Sequence, residues 1–495
     1  MLRYALLAGA ALTALLTGFL MTDPVSGGRI VAAAVIGLPW FVYFAFKMPM
    51  VLFHGLAVIL GFLPFGVVPG SSLPLVFVAS LGAGFAAMLL PRSQAPRYSL
   101  LDWAVVFMLA MGVFSAAVTY VSPVDLTELS KWLVAGSVTM SLRRLSEAQR
   151  LSFGRSYVYT STAAAGFGLV SLAFDGGGAM MKPFAVFGYV AGNETLRYVY
   201  DGDEQTRRLT GTYVDPNAGG LFLLLAIFLA LALLAGWKRM LSLAILGTAI
   251  LLTLSRAAIF SVVVALLLYL AMKNMKLHGR MKFLSVMVLG LASAFAIPEV
   301  QERVFDSFGK NDSGSEARQE ALENFPRHVE DHWIFGLGWG RPEFRDADIG
   351  WAVNYVANAP LLSIYRGGLV AGLAFWAVLL IGVYLSFRAL RHPRADLGFL
   401  GAGFIGLVFV ALQLDFPVVT IAPVTTVLSI YLAFLPRPAE LATTEDPPPL
   451  AEPAPEPQPA VVGPLYGRRA LRNRRTPHGR ITRPQQATTG TKVKA

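Results

Sequence analysis

Apolar runs of about 16 to 22 residues recur along the chain as far as Leu435, each long enough to cross roughly 30 Å of hydrocarbon with some tilt. The pattern predicts spans near 2–21, 30–46, 51–69, 74–91, 101–121, 156–174, 218–236, 239–254, 257–272, 281–297, 367–386, 397–414 and 418–435, with a weaker one over 125–142. The expected fold class is all-α, a polytopic transmembrane helical bundle of about 12–14 spans with two long external loops. The first run begins with Arg3 and an Ala/Leu core, but further spans follow it and no small-x-small cleavage site does, so it reads as a retained anchor.

Charge then orients the bundle. Lys47, Arg92, Arg97, Arg143, Arg144, Arg150, Arg155, Lys238, Arg239, Lys273, Lys276, Arg280, Lys282, Arg388, Arg391 and Arg394 all fall on one side if 125–142 crosses, and by the positive-inside rule that side is the cytoplasm. A multi-pass protein of the cytoplasmic (inner) membrane follows, with both termini inside. Three regions are expected: N-terminal transmembrane spans over 1–155, a second transmembrane region over 156–435 carrying external loops 175–217 and 299–354, and a tail over 436–495. Loops this long in a compact protein are functional or disordered, which makes these two the places where chemistry could happen. The tail is first Pro-rich and then basic, without apolar periodicity, and is expected to be disordered and cytoplasmic. It could dock on anionic membrane lipids or an acidic partner, or simply be a solubilising end.

Composition sharpens this picture by exclusion. With 55% hydrophobic and 14% charged residues the chain is no soluble globule. The absence of cysteine removes disulfides, thiolate metal sites and thiol chemistry. The +11 formal charge is about half tail, and no nucleic-acid partner is expected.

Candidate residues cluster where polar segments meet span ends. Arg207 and Arg208 precede Gly211-Thr212-Tyr213-Val214-Asp215-Pro216-Asn217, which runs straight into a span. Asp-Pro-Asn is also helix-start chemistry, with Asn217 a good N-cap. Ser255 and Arg256 interrupt an apolar stretch too long for one crossing; the arginine either snorkels to head groups or points into a polar cavity. Arg318 lies in an exposed helix start with Ser315 as a plausible cap, where pairing with its Glu neighbours is the plainer account. Gly336, Gly338 and Gly340 form a Gly-x-Gly-x-Gly run with no preceding strand, a poor dinucleotide fingerprint whose N–H groups could still line an anion-binding loop. His328 and His332 are four apart and would share a helical face, but the residues between them fit no zinc motif, so no metal is expected. Gln413 and Asp415 fall at the external end of a late span, where function and capping before Pro417 compete.

Arg207 or Arg208, Arg256 and Arg318 come from distant segments yet share one membrane boundary. Guanidinium forks pair bidentately with phosphate oxygens, so a diphosphate on a membrane lipid is the natural ligand. With these elements in order, Arg-Leu-Thr-Gly-Thr-Tyr-Val-Asp-Pro-Asn, Thr-Leu-Ser-Arg-Ala, an Arg in the large loop, Phe-Gly-Leu-Gly-Trp-Gly and Asn358-Ala359-Pro360-Leu361-Leu362 before Gly367-Gly368, the chain resembles the O-antigen ligase and polymerase family from about residue 156 to 435. The resemblance implies a metal-independent, cofactor-free inverting glycosyltransferase. Its donor would be a polyprenyl-diphosphate-linked saccharide, its acceptor a glycan or lipid, with other polysaccharide-assembly proteins as partners of the tail. It further implies Arg208, Arg256 and Arg318 as diphosphate ligands, with Asp215 and Asn358 in the catalytic set and Arg207, Asn217, Ser255, Gly338, Gly340 and His332 near substrate. The sequence departs from the ligase pattern in having Ala357 where a histidine is expected before Asn358. Asp215, Glu194 or His332 would then take the proton, or the acceptor differs as in a polymerase. A transporter of lipid-linked saccharides and a non-catalytic envelope scaffold are the rival classes.

Overall fold

Helix starts follow the punctuation of the sequence. In the computed structural model, which describes residues 42–90, 98–201, 204–295, 313–342, 358–413, 421–437 and 440–442 and the isolated positions 37, 39, 40, 301 and 356, helices α1 (Pro49–Phe62) and α2 (Leu75–Leu89) come first. Helix α3 (Leu100–Thr119) opens on a Ser99/Asp102 capping box and α5 (Glu147–Phe174) on a Ser146/Gln149 box, each satisfying backbone N–H groups that a first turn leaves orphaned. Between them α4 (Pro123–Arg143) has proline in its first turn and Asp125 accepting from the Ser122 N–H at 2.9 Å. Short turns join α3, α4 and α5, so they alternate in direction and the ends of α3 and α5 lie with the start of α4.

The segment after α5 departs from the all-helical pattern. It folds as a 3-10 helix (Ala179–Phe187), a short 3-10 turn (Asn193–Thr195) and an antiparallel hairpin of β1 (Arg197–Asp201) and β2 (Glu204–Arg208). The chain then returns as α6 (Pro216–Leu233), α7 (Gly236–Leu252), α8 (Arg256–Met272) and α9 (Leu277–Phe295). Helix α10 (Ser313–His328) lies in the second long loop, and α11 (Ala359–Arg391), α12 (Ala395–Gln413) and α13 (Ala422–Phe434) complete the bundle.

Among the described residues five helices, α3, α5, α6, α11 and α12, are long and apolar enough to cross a membrane, and α1, α2, α8 and α13 are shorter apolar helices. The fold is an all-α polytopic bundle of an integral membrane protein. The expected span 2–21 lies outside the described residues. Span 125–142 read as weak because α4 carries Asp125, Glu128 and Lys131, but all three have partners: Asp125 accepts from the Ser122 N–H, and Glu128 and Lys131 pair with each other. Helix α6 is apolar on every side and is accordingly the central element, buried among α5, α7, α8, α12 and α13.

The end of the bundle opposite the two long loops is closed by buried charge. Arg143 pairs with Asp102 at 2.5 Å and donates to the Leu432 and Leu435 carbonyls at 3.2 and 3.1 Å, the last turn of α13. Lys273 caps the end of α11 through the carbonyls of His392, Pro393 and Arg394. The packed body also continues past the expected boundary at 436: Arg150 pairs with Glu440 at 3.0 Å, Arg437 donates to the Arg143 carbonyl, and Leu441 packs on the core. The root of the tail is therefore structured, because it supplies the carboxylate that the Arg150 charge requires.

Candidate functional site

The backbone sets the site before any side chain does. Asp215 precedes a proline, which drives it extended (φ −112°, ψ 132°), the conformation of an N-cap. Its Oδ1 accepts from Asn217 N at 2.7 Å and Ala218 N at 3.0 Å, so Asp215 and not Asn217 is the cap of α6. Pro216 fills the first helical position, where a missing N–H costs nothing. Released from capping, the Asn217 side chain turns to Arg208, accepting from Nη2 at 2.9 Å.

Arg208 also donates from Nε to the Thr253 carbonyl at 2.8 Å, and the next residue, Leu209, donates its N–H to Leu252 O at 2.8 Å. The hairpin is thus sewn to the break between α7 and α8. Both approaches are strained: Val214 (φ 63°) and Leu254 (φ 51°) are non-glycine residues at positive φ, a conformation held only when surrounding structure over-determines it. Beyond the break Ser255 leads into Arg256, the first residue of α8, which is half-buried. The Ser255 hydroxyl is buried without a hydrogen-bond partner among the described residues. Gly220 lets α6 and α8 meet, since a Cβ there would stand 2.5 Å from Ala258 Cβ and 3.4 Å from Ser255 Cβ. Arg208, Asp215, Asn217, Ser255 and Arg256 therefore share one corner of the bundle.

Arg207 is not part of that corner. Strand alternation sends it to the other face of β2, where Nη1 donates to Asp175 O at 2.7 Å. Asp175 closes the end of α5 and accepts from Ala179 N at 2.8 Å and Met180 N at 2.7 Å. Burial pushes its carboxyl up, but those N–H groups, that of Gly177 and the Arg207 charge together hold it below its ordinary value. Arg207 and Asp175 so fasten the segment between α5 and the hairpin.

The glycine run does something other than cradle an anion. Leu337 N donates to Tyr365 O (2.8 Å), Gly338 N to Arg366 O (3.2 Å), Leu369 N to Trp333 O (2.7 Å) and Val370 N to Ile334 O (3.3 Å). This ladder is possible because α11 breaks at Gly368 (φ 67°, ψ −171°), exposing carbonyls and N–H groups that a continuous helix would consume. Gly340 N is taken by Asp125 Oδ1 at 2.5 Å, and Ser115 donates to Phe335 O at 2.9 Å. Trp339 is buried against Trp132, ring centroids 5.9 Å apart. The run is a latch that fixes the second long loop to α3, α4 and α11, and a carboxylate of the protein itself occupies the N–H group of Gly340.

The remaining expected residues are placed as follows. Arg318 lies within α10, which starts at Ser313, so Ser315 falls inside its first turn and not at the cap; the Arg318 side chain is outside the described residues. Helix α10 ends at His328 and Asp331 turns at φ 65°, so His328 and His332 do not share a helical face; His332 is exposed, its ring 2.9 Å from Glu330 O. No group of three metal-ligating side chains occurs among the described residues. Asn358 caps α11, accepting from Leu361 N at 2.9 Å, while Ala357 and Asp415 lie outside the described residues and Gln413 is the last residue of α12. Glu194 is exposed. Two residues escaped notice in the sequence. Arg366 is only 5% exposed beside the α11 break, and an arginine within an apolar run was itself the signal. Asp125 was legible as the acid of Ser122-x-x-Asp125, though its hold on Gly340 was not.

Residues 241–375 match the family described as O-antigen ligase. No curated protein matches the chain. The matched stretch holds Ser255, Arg256, Arg318, the glycine latch and Asn358, and it meets Arg208 through Leu252 and Thr253.

Proposed function

We propose that this O-antigen ligase-like chain, a membrane enzyme of cell-surface polysaccharide biosynthesis, transfers or polymerises polyprenyl-diphosphate-linked oligosaccharide units on the external face of the cytoplasmic membrane. One observation carries the reading: Arg208, from the first long loop, is tied to the α7–α8 break that presents Arg256. Two permanently charged groups brought to one corner at the end of an apolar bundle suit a dianion attached to a membrane lipid.

In the reaction the acceptor hydroxyl attacks the anomeric carbon on the face opposite the diphosphate. The bond from that carbon to the diphosphate oxygen breaks, its electron pair leaves with the diphosphate, and the configuration inverts. Arg208, Arg256 and Arg318 are assigned to stabilise the charge growing on the leaving group, the type of electrostatic contribution that is worth most in a site closed to water. No metal is required on this assignment, and no cofactor. Asn217 and Asp215 act by holding the Arg208 corner in place, since Asp215 Oδ1 already accepts two N–H groups as a cap. Ser255 offers a buried hydroxyl beside Arg256. The attacking hydroxyl lies on the face opposite the diphosphate, so its proton passes to solvent or to an exposed group such as Glu194 or His332, since Ala357 offers no base. That favours polymerisation of a glycan over ligation to lipid.

The test is mass spectrometry of lipid extracts and surface polysaccharide from cells lacking the gene, complemented with wild type, Arg256→Ala or Arg256→Lys. Accumulated single units on polyprenyl diphosphate with loss of long polymer, restored by wild type and by neither variant, supports polymerisation. Finished polymer held on the lipid carrier means ligation. Unchanged lipid-linked pools refute the transferase reading, and a defect restored fully by Arg256→Lys refutes the bidentate role of Arg256.

A further inference from the structure

The segment that leaves α5 is apolar where a water-facing loop is polar. Between Asp175 and Glu194 the only charged residue is Lys182. Met181 and Tyr189 are buried, while Ala179, Lys182, Pro183, Ala185, Val186 and Val190 are exposed, the two valines at 56% each.

Its height against the bundle follows from α5. Residues 156–174 of that helix carry no charge, and at about 1.5 Å per residue the run measures about 28 Å, enough to fill the hydrocarbon core. Phe174 therefore stands at the hydrocarbon boundary, and Phe167, two turns back, lies about 10 Å inside it. The segment reaches down to that depth. The Phe184 ring packs 5.3 Å from that of Phe167 and 5.9 Å from that of Phe62, the last residue of α1. Side chains on a helix lean toward its N-terminus, which carries the Phe167 ring deeper still. Val67 N, in the α1–α2 connection, donates to Phe187 O at 2.8 Å and holds the segment down. Residues 179–190 thus fold back beside the ends of two helices instead of standing above them.

Backbone at membrane depth must be satisfied from within the protein, and here the donors are accounted for. The Asp175 carboxylate accepts from Ala179 N at 2.8 Å and Met180 N at 2.7 Å, Pro183 has no N–H, and the 3-10 helix bonds its own turns. Gly188 N donates to Ala185 O at 2.9 Å, and Gly192 N closes the base of the loop on Gly178 O at 3.1 Å. The closure needs glycine at 178, whose φ is 70° and whose Cβ would strike Gly192 O. The last turns of α5 are equally bare, with Val170 and Phe174 exposed. Lipid is the medium that faces them at this depth.

We infer that residues 179–190 form a lip inserted into the bilayer leaflet on the side of the two long loops, with Val186 and Val190 among the acyl chains and the Lys182 ammonium reaching back to lipid phosphates. Interfacial elements bury their apolar faces about 5–10 Å into that boundary, the range in which Phe184 sits. Arg207, donating to Asp175 O at 2.7 Å, fastens the lip to β2. This contact with lipid is independent of which donor the protein uses.

The experiment exploits the absence of cysteine from the chain. Single variants Val186→Cys and Val190→Cys of the full chain are labelled with bimane in nanodiscs of phosphatidylcholine and phosphatidylglycerol, then exposed to doxyl-labelled lipid or to aqueous iodide. Val170→Cys marks a lipid-facing position and Glu330→Cys a water-facing one. Doxyl lipid should quench both valine positions as strongly as position 170, and the iodide quenching seen at position 330 should be lost. Iodide quenching equal to that at position 330, without quenching by doxyl lipid, places the loop in water and overturns the lip. Silence toward both quenchers means that protein, such as a second copy of this chain, covers the face, and overturns it too. Wild-type melting in detergent establishes that a variant is folded, and either valine position carries the test if the other variant is not.

Discussion

Replacing Gly368 by alanine tests whether the break in α11 exists to receive the second long loop. The residue sits at φ 67° and ψ −171°, a region essentially restricted to glycine, so any side chain costs about 1–3 kcal/mol in backbone strain alone. Its Cβ would also collide with Ile334 C and O and with Phe335 N, all backbone atoms that cannot turn aside as a side chain would. The segment must retreat, and the bonds nearest the collision, Leu369 N to Trp333 O and Val370 N to Ile334 O, are the first to go. At a net 0.5–1.5 kcal/mol each they add about 1–3 kcal/mol, for a total of about 2–6 kcal/mol. Gly70→Ala is the matched control: its φ is +78°, yet nothing lies within 4 Å of the added Cβ, so only about 1 kcal/mol of backbone cost applies. Unfolding both variants by SDS titration in mixed micelles, with protease cleavage between residues 299 and 354 as a local readout, separates the two costs. If Gly368→Ala loses no more stability than Gly70→Ala and its loop resists protease as wild type does, the latch account is wrong.

Three further outcomes follow from the same geometry. Arg208→Lys keeps the charge but loses the fork that spans Thr253 O and Asn217 Oδ1, so turnover by the folded variant should fall at least tenfold; wild-type turnover refutes the assignment. Arg143→Ala strands Asp102 in the base of the bundle and frees the Leu432 and Leu435 carbonyls, and should cost about 3–5 kcal/mol in the same SDS titration; unchanged stability refutes the pairing. Burial pushes Glu440 up, and the Arg150 charge with the Arg437 N–H more than reverses this, so its carboxyl titrates below the ordinary range. A depressed carboxylate contributes stability above its unfolded pKa and loses it as pH falls through the folded one. Protease cleavage near residues 437–442 should therefore rise only below about pH 4, while Glu440→Gln shows it at neutral pH.

Much of the bundle was legible because membrane spans and caps are local signals. Ser99-x-x-Asp102 and Ser146-x-x-Gln149 announce their helices within four residues, and the interruption at Ser255-Arg256 marks where α7 gives way to α8. What stayed hidden was non-local or depended on strand alternation. Without the hairpin nothing distinguishes Arg207 from Arg208, since adjacent arginines read alike until a period of two sends them to opposite faces. The cap was misassigned to Asn217 because Asp-Pro-Asn offers two capping residues, and only the proline at the first helical position settles it for Asp215. The glycine run had the composition of an anion loop, but Asp125, 215 residues away, supplies the carboxylate that meets it.

The same physical device recurs at each of these places, a helix interrupted where a loop arrives. Between α7 and α8 the chain opens at Leu254 and its freed carbonyls, Leu252 O and Thr253 O, accept from Leu209 and Arg208. Within α11 it opens at Gly368 and the freed groups of residues 365–370 accept from and donate to residues 333–338. In an apolar bundle an unpaired backbone group costs several kcal/mol, so each break is stable only while its loop segment is seated. The seating of the two long loops is thereby coupled to the integrity of the helices beneath them. A donor that bridges Arg208 and Arg256 would bind on top of one such seat and tighten it, which predicts that pyrophosphate protects the Leu209 amide from hydrogen exchange. Protection of Leu209 that is indifferent to pyrophosphate, in a protein shown to bind it, would uncouple the ligand from the break and refute the placement of the diphosphate there.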